Sequence, residues 1–447
     1  MKMTPYLFKS TIVGALGGLL FGFDTAVIAG TTQQLTTVFH LTPYTLGLTV
    51  FIGLVGTVIG AMTAGVLGQK IGGREALRVM AILYTVSAIG TALAWDWPSL
   101  MVFRLIGGLG IGGSSVLGPV YLAELAPAKW RGRLVGLFQF NIVLGILLAY
   151  FSNFLISAYF LRHVDLFWMQ WRWELGVAGL PSLLFLIMLY GIPRSSRWLV
   201  TQNKTDEALE VLKMMGSPDS EAELREIMDS IHMERGMAAE PLFKSAYRLP
   251  IFLAVSIGLF NQLSGINAIL YYSNFIFAAA GFSQLSGALQ TVIIGLINLL
   301  ATLLGMSLID KIGRKTLLLV GSVGTAVCLA GVAGIFFTNS HQDLLVWLLC
   351  GYITFFALSQ GAVIWVYISE VFPTRVRAKG QSLGSSSHWI MNAIISLIFP
   401  ILAKASGGIP FAFFAAMMAL QFFVVLFIYP ETKGITLEQL QHKLGIH

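Results

Sequence analysis

Charge is scarce in this sequence: Asp, Glu, Lys and Arg make up 11% of its 447 residues, where an average soluble protein has about 25%. With 56% of the residues hydrophobic and a mean hydropathy of +0.79, the chain cannot clothe itself in polar surface. A water-soluble domain is excluded, and the lipid bilayer is the expected outer solvent. Cysteine is nearly absent. Cys328 and Cys350 both fall in apolar runs, so neither a disulfide framework nor a thiolate metal site is expected. The 7 histidines form no HExxH pattern and no GxxxxGK[ST] loop occurs, which argues against a zinc hydrolase and an ATP-driven pump. No metal, no cofactor and no enzymatic activity are expected. A basic groove with interleaved aromatics is also missing, so the net charge of +7 does not point to a nucleic-acid partner.

What charge there is comes in bursts. Lys70, Arg74 and Arg78; Lys129, Arg131 and Arg133; Lys311, Arg314 and Lys315; and Arg375, Arg377 and Lys379 each sit between apolar blocks. The alternate gaps, such as 31–44 and 281–287, hold no Lys or Arg. Lys and Arg accumulate in cytoplasmic loops, so both termini are expected in the cytoplasm of a cell with a bacterial-type inner membrane. Only Arg162, Arg172 and Lys404 fall outside, and Arg104 falls in the membrane. The N-terminal apolar run is read as a retained helix and not a signal peptide, because Asp24 interrupts it and no small-x-small site follows.

A helix needs about 20 apolar residues to cross the hydrocarbon core. Scanning with that length predicts an all-α membrane protein with spans at 8–30, 45–69, 76–95, 98–122, 131–155 and 172–192, then 250–280, 287–309, 315–337, 344–370, 378–402 and 408–429. Gly107, Gly108, Gly110, Gly112 and Gly113 suit the fourth span to close helix packing. Residues 193–249 mix charge with apolar positions at helical spacing and predict short cytoplasmic helices, the second of them capped by Ser217 and ended by Gly236. Two six-helix halves, 1–192 and 250–430, would thus flank a helical linker and precede a short tail, 431–447.

The halves repeat one another. "YLAELAPAKWRGRL" (121–134) and "YISEVFPTRVRAKG" (367–380) share Glu, Pro and Arg at the same internal spacing, and "GQKIGGREAL" (68–77) is echoed by "LIDKIGRKTL" (308–317). Parallel repeats of six helices are the architecture of one large transporter class. Glu124 ends span four as Glu370 ends span ten, and Arg131 and Arg377 begin the spans that follow. Each glutamate is therefore expected to hold the arginine of the next helix, within a cytoplasmic charge network that also takes in Arg74, Arg197, Asp310 and Arg314.

These and other runs carry a resemblance. "GGLLFGFDTAVIAG", "RLIGGLGIGG", "AELAPAKWRG", "NQLSGINAILYYS", "SEVFPTRVRAKG" and "PETKG" resemble the signatures of sugar porters in the major facilitator superfamily, which include bacterial proton-coupled sugar symporters and facilitative glucose transporters. The resemblance runs from span one to the tail and implies the major facilitator fold. Three departures stand out: "PRSSRWL" has Arg194 where the family has glutamate, Gly73 stands for an arginine, and "GAVIW" (361–365) lacks two prolines that favour a break in span ten.

A sugar is uncharged and covered in hydroxyls, so its site needs amides, which donate and accept, and aromatic faces. The spans offer Gln139, Asn261, Gln262, Asn267, Asn298 and Asn392, with Trp365, His388 and Trp389 beside them. A single intramembrane amide equally serves as helix–helix glue; the set gathered in one half is what points to a ligand. The resemblance places Gln139, Gln262, Asn267, Asn298, Trp365 and Asn392 at sugar-contacting positions, Asn261 where glutamine is common, and His388 where an amide is. Phe21, Tyr271, Tyr272 and Phe356 are candidate gating aromatics, and Ile146 a candidate cavity wall.

Asp24 in span one and Arg104 in span four are charges at membrane depth, where ionisable groups are costly and mark function. The resemblance puts Asp24 at a position that is acidic in proton-coupled members. The expected function is import of a monosaccharide (glucose, xylose and galactose among the candidates) with protons, by a chain complete as a monomer. A facilitative uniporter and a non-transporting sensor are the alternatives.

Overall fold

The computed structural model describes residues 4–125, 128–236, 241–373, 375–434, 439–440 and 444, apart from the side chains of 128–135, 164–165, 167 and 234–236. All regular structure among them is helical. Twelve helices or helix groups are long and apolar enough to cross a membrane: Pro5–Val38, Pro43–Ile71, Gly73–Leu93, Trp97–Leu125, Gly136–Arg162, Gln170–Gly191, Ser245–Tyr271, Gln284–Ile312, Arg314–Thr338, Gln342–Glu370, Arg377–Ala405 and Ile409–Ile428. They are called spans one to twelve below. Helices satisfy their own backbone groups where lipid offers no partners, so hydropathy alone locates them.

The described residues cluster into two compact units. One is drawn from 1–27, 52–152 and 169–238, the other from 28–51, 153–168 and 239–447. In the first unit, spans two, three and four approach at backbone distance. A Cβ on Gly108 or Gly112 would collide with the carbonyl oxygen of Gly53 or Thr57, and one on Gly113 with Met80. The glycines of span four are thus packing faces, as small residues are in lipid.

The segment after span six forms three helices, Ser196–Thr201, Thr205–Met215 and Ser220–Gly236. Leu199, Ala208, Val211, Met215 and Ile231 bury their side chains in the core of the first unit, so this segment is packed structure. Its third helix is capped by Asp219, whose carboxylate accepts from Ala222 N at 3.0 Å. Ser217, the expected cap, has a buried hydroxyl that is unpartnered among the described residues. A carboxylate one step from the helix is the stronger acceptor at a positive N-terminus.

Span seven is broken. Gly265 takes φ +84° between helices Arg248–Leu263 and Ile266–Tyr271, a conformation that suits only glycine at low cost. Span ten also breaks, at Ser359 between Leu345–Leu358 and Gln360–Glu370, without the prolines missing from "GAVIW". Ser359 returns its hydroxyl to Phe355 O at 2.6 Å, a back-bond that competes with the helix ladder and bends it.

Candidate functional site

The break at Gly265 brings the amides of span seven onto the face of span eleven. Gln262 is the hub. Its Nε2 donates to Asn261 Oδ1 at 3.1 Å and faces the two ring nitrogens of His388 at 3.4 and 3.3 Å, while its Oε1 accepts from Asn267 Nδ2 at 3.2 Å. A ring nitrogen accepts an amide proton only when it carries none of its own, so this contact makes His388 a hydrogen-bonding group. The rings of Trp365 and Trp389 lie 5.1 and 5.0 Å from the His388 ring. Trp365 keeps an accessible face, 39% exposed, whereas Asn261, Gln262, His388 and Asn392 are each buried.

A second group adjoins on spans seven and eleven. Asn392 Nδ2 donates to the Tyr271 hydroxyl at 3.1 Å, and its Oδ1 accepts from Ser396 at 3.2 Å. Tyr272 is fully buried, donates to Ser396 O at 2.8 Å and stacks on Phe399. That fixes Tyr272 as a helix anchor more than a swinging gate. Phe356 lies beside Tyr352. Asn298 is buried in span eight, and no hydrogen bond among the described residues joins it to this row. Gln139, Phe21 and Ile146 belong to the first unit, where Phe21 packs on the core and Ile146 is buried. The second unit thus holds eight of the nine expected amide and aromatic positions.

In the first unit Arg104 Nη1 lies 3.8 Å from Asp24 Oδ2, with both side chains largely buried. Gly53 makes room for the guanidinium: a Cβ there would stand 3.3 Å from Arg104 Nη2. Arg104 Nε has no acceptor among the described residues. The pair is long for a charge-assisted bond, an ion pair in contact but not locked.

The charged end of the second unit centres on Arg314. Its Nε and Nη2 grip both oxygens of Glu370 at 3.2 and 2.8 Å, and its Nη1 reaches Asp310 at 3.0 Å. Glu370 therefore holds the arginine that begins span nine, not Arg377, which turns back to donate to Phe372 O at 3.3 Å. The fork of Arg314 offers two parallel bonds to a carboxylate, and Arg377 sits too close in sequence to present its own. In the first unit Glu124 is hydrogen-bonded by Ser195 with Arg197 nearby. Arg197 also donates to Ser230, and Arg74 binds Glu75 and Ile192 O. The Arg131 side chain lies outside the described residues.

Two carboxylates were not assigned from sequence. Glu174 in span six is buried, accepts from Gln170 Nε2 at 2.7 Å, and has its other oxygen unpartnered among the described residues. An acid inside an apolar window was its signal, obscured by lying at the span's edge. Glu431, in the "PETKG" run, accepts from the amides of Arg314 and Lys315 at 2.9 and 3.0 Å and from Thr432 and Lys433. Partial burial acts to raise its pKa, but the four amides outweigh that and hold it below the usual carboxylate range. Its stabilisation is complete above the ordinary glutamate pKa and is lost as pH falls through the lowered native value. Glu431→Gln is expected to cost roughly 1–2 kcal/mol, as for loss of a charged helix cap. In thermal melts of the purified protein, the gap to the parent should be widest at neutral pH and narrow in acid.

Residues 10–444 match the family model described as sugar (and other) transporter. The chain is 35% identical to the D-xylose-proton symporter of Escherichia coli (strain K12), over 98% of this chain and 96% of that one. It is also 35% identical to the arabinose-proton symporter of Bacillus subtilis (strain 168), over 98% and 94%. The inward-open structure of the xylose transporter XylE from E. coli superposes with a TM-score of 0.87 at 34% identity, covering 98% of this chain and all of that one.

Proposed function

The chain belongs to the sugar (and other) transporter family, and on that premise we propose that this multi-pass membrane protein imports a monosaccharide, a hexose or a pentose, by symport with protons through alternating access. The observation that carries the reading is the largely buried Asp24 facing Arg104 at 3.8 Å in the first unit, taken together with a row of amides in the second unit suited to hydroxyls. The guanidinium favours the charged form of the acid and a low-dielectric cavity the neutral one, so parting the two favours proton uptake. Any motion that separates them is then linked to proton uptake.

The amide row supports the sugar half of the reading. Asn261, Gln262, Asn267 and Asn392 present donors and acceptors together, and Trp365 offers an apolar face for ring C–H groups. Names of relatives include a xylose-proton and an arabinose-proton symporter, and a pentose ring bears hydroxyls at the same ring positions as a hexose ring while lacking its hydroxymethyl group. The bursts of Lys and Arg support a cytoplasmic placement of both termini. One chain supplies the whole set of groups, so a monomer suffices.

The deciding experiment uses energised right-side-out vesicles in lightly buffered medium. Addition of xylose or glucose is expected to make the outside more alkaline as protons enter with sugar. Sugar uptake without alkalinisation would assign the chain to facilitated diffusion instead.

A further inference from the structure

The charged ends of the two units follow one plan. Gly72 and Gly313 have φ of +89° and +101° at the starts of spans three and nine. Tyr121 donates to Pro193 O at 2.7 Å and Tyr367 to Pro430 O at 3.1 Å. The next residue but one also matches: Ser195 bonds Glu124, and Thr432 bonds Glu370 at 2.6 Å. Pro193–Arg194–Ser195 in one unit therefore occupies the place of Pro430–Glu431–Thr432 in the other.

At the middle position the charge is opposite. Glu431 accepts from the first amides of span nine; Arg194 has no acceptor to offer, and the start of span three carries no side-chain cap. Instead Glu75 stands in the first turn of span three, where the second unit has Thr316. Its Oε1 is 3.6 Å from Arg194 Nε and accepts from Arg74 Nη2 at 2.6 Å, while its Oε2 accepts from Arg78 Nη1 at 2.6 Å. Those two arginines donate onward to Ile192 O at 2.9 Å and Leu189 O at 3.2 Å, carbonyls just past and just inside the end of span six.

We propose that Glu75 and Arg194 form a charge-inverted version of the Glu431 clamp. The carboxylate has moved from the tether onto the helix, where it favours the positive N-terminus, and the tether supplies the cation. Glu75 is then a positioning residue: it aims Arg74 and Arg78 at the end of span six and holds Arg194, tying spans three and six together. Gly73 fits the same exchange. The arginine that pairs Glu370 in the second unit has no counterpart in the first, and Glu124 turns to Ser195 and Arg197.

The inversion predicts that restoring the other unit's residue is harmful by itself. Arg194→Glu sets two carboxylates together, and Glu75→Thr leaves three arginines without one. Each is expected to lower the melting temperature of the purified protein and to slow counterflow exchange in liposomes at least fivefold, with KM unchanged. The double variant Glu75→Thr/Arg194→Glu again gives Arg74 and Arg78 a carboxylate, now on the tether, and should return to within twofold of the parent in both readouts. Arg194→Lys should keep most of the rate. A harmless Arg194→Glu, or a double variant no better than the worse single one in folded yield and melting temperature, overturns the proposal. The exchange arm rests on the sugar-transport reading and the melting arm does not, so loss of signal in the first alone, in the parent, indicts that reading and not the clamp.

Discussion

Replacing Asp24 by asparagine is expected to abolish accumulation of sugar against its gradient while leaving counterflow exchange nearly intact. The two activities use the same sugar contacts but differ in what drives them. A proton crossing a potential of 100 mV releases about 2.3 kcal/mol, enough for a sugar gradient of about 50-fold. Asparagine keeps the shape of the protonated acid and cannot exchange the proton, so the variant cycles without coupling and the gradient falls to unity. Removing the charge also relieves Arg104, at 3.8 Å, of its acidic neighbour. A buried cation without its partner is costly, and that cost is expected in a lower melting temperature, with exchange nearly unchanged. Time courses of labelled xylose or glucose in proteoliposomes with an imposed proton gradient measure both activities. Concentrative uptake that survives Asp24→Asn would remove Asp24 from the coupling mechanism.

Much of this architecture was legible in the sequence because lipid leaves so few choices. Twelve apolar windows became twelve spans, since a helix is the one way a lone segment satisfies its backbone in hydrocarbon. The break at Gly265 comes from a glycine with φ +84° set just after the paired amides Asn261 and Gln262. The break at Ser359 was not legible, because a hydroxyl that bonds its own helix leaves no mark in a hydropathy plot. Pairing was the least legible feature. The repeat draws attention to Glu370 and Arg314, yet nothing local to the motif reveals that Glu370 reaches span nine, 56 residues away, and not Arg377 just beyond it. Partner choice between helices depends on which ends meet in space. Glu431 illustrates the same limit, since its partners are backbone amides, which every residue has.

The amide row is open to a rival explanation, that it merely glues spans seven and eleven, and Gln262→Ala separates the two. Gln262 supports Asn267 through its carbonyl and His388 through its amide, so its removal takes out its own contacts and disorders two more groups. If these face hydroxyls of the sugar, two or three hydrogen bonds of about 1 kcal/mol each are lost, and binding should weaken by roughly 30- to 150-fold. Glue alone would lower the melting temperature and leave affinity unchanged. Gln360 provides the control. It is buried elsewhere in the same unit and donates to Gln421 Oε1 at 2.9 Å, so Gln360→Ala should cost stability and spare affinity. Titrating both variants with sugar, followed by the fluorescence of the accessible Trp365, reads affinity, and melting curves on the same samples read stability. Equal affinity loss in the two variants would mean that polar contacts throughout the second unit shape binding only indirectly, and the assignment of Gln262 as a sugar ligand would fall.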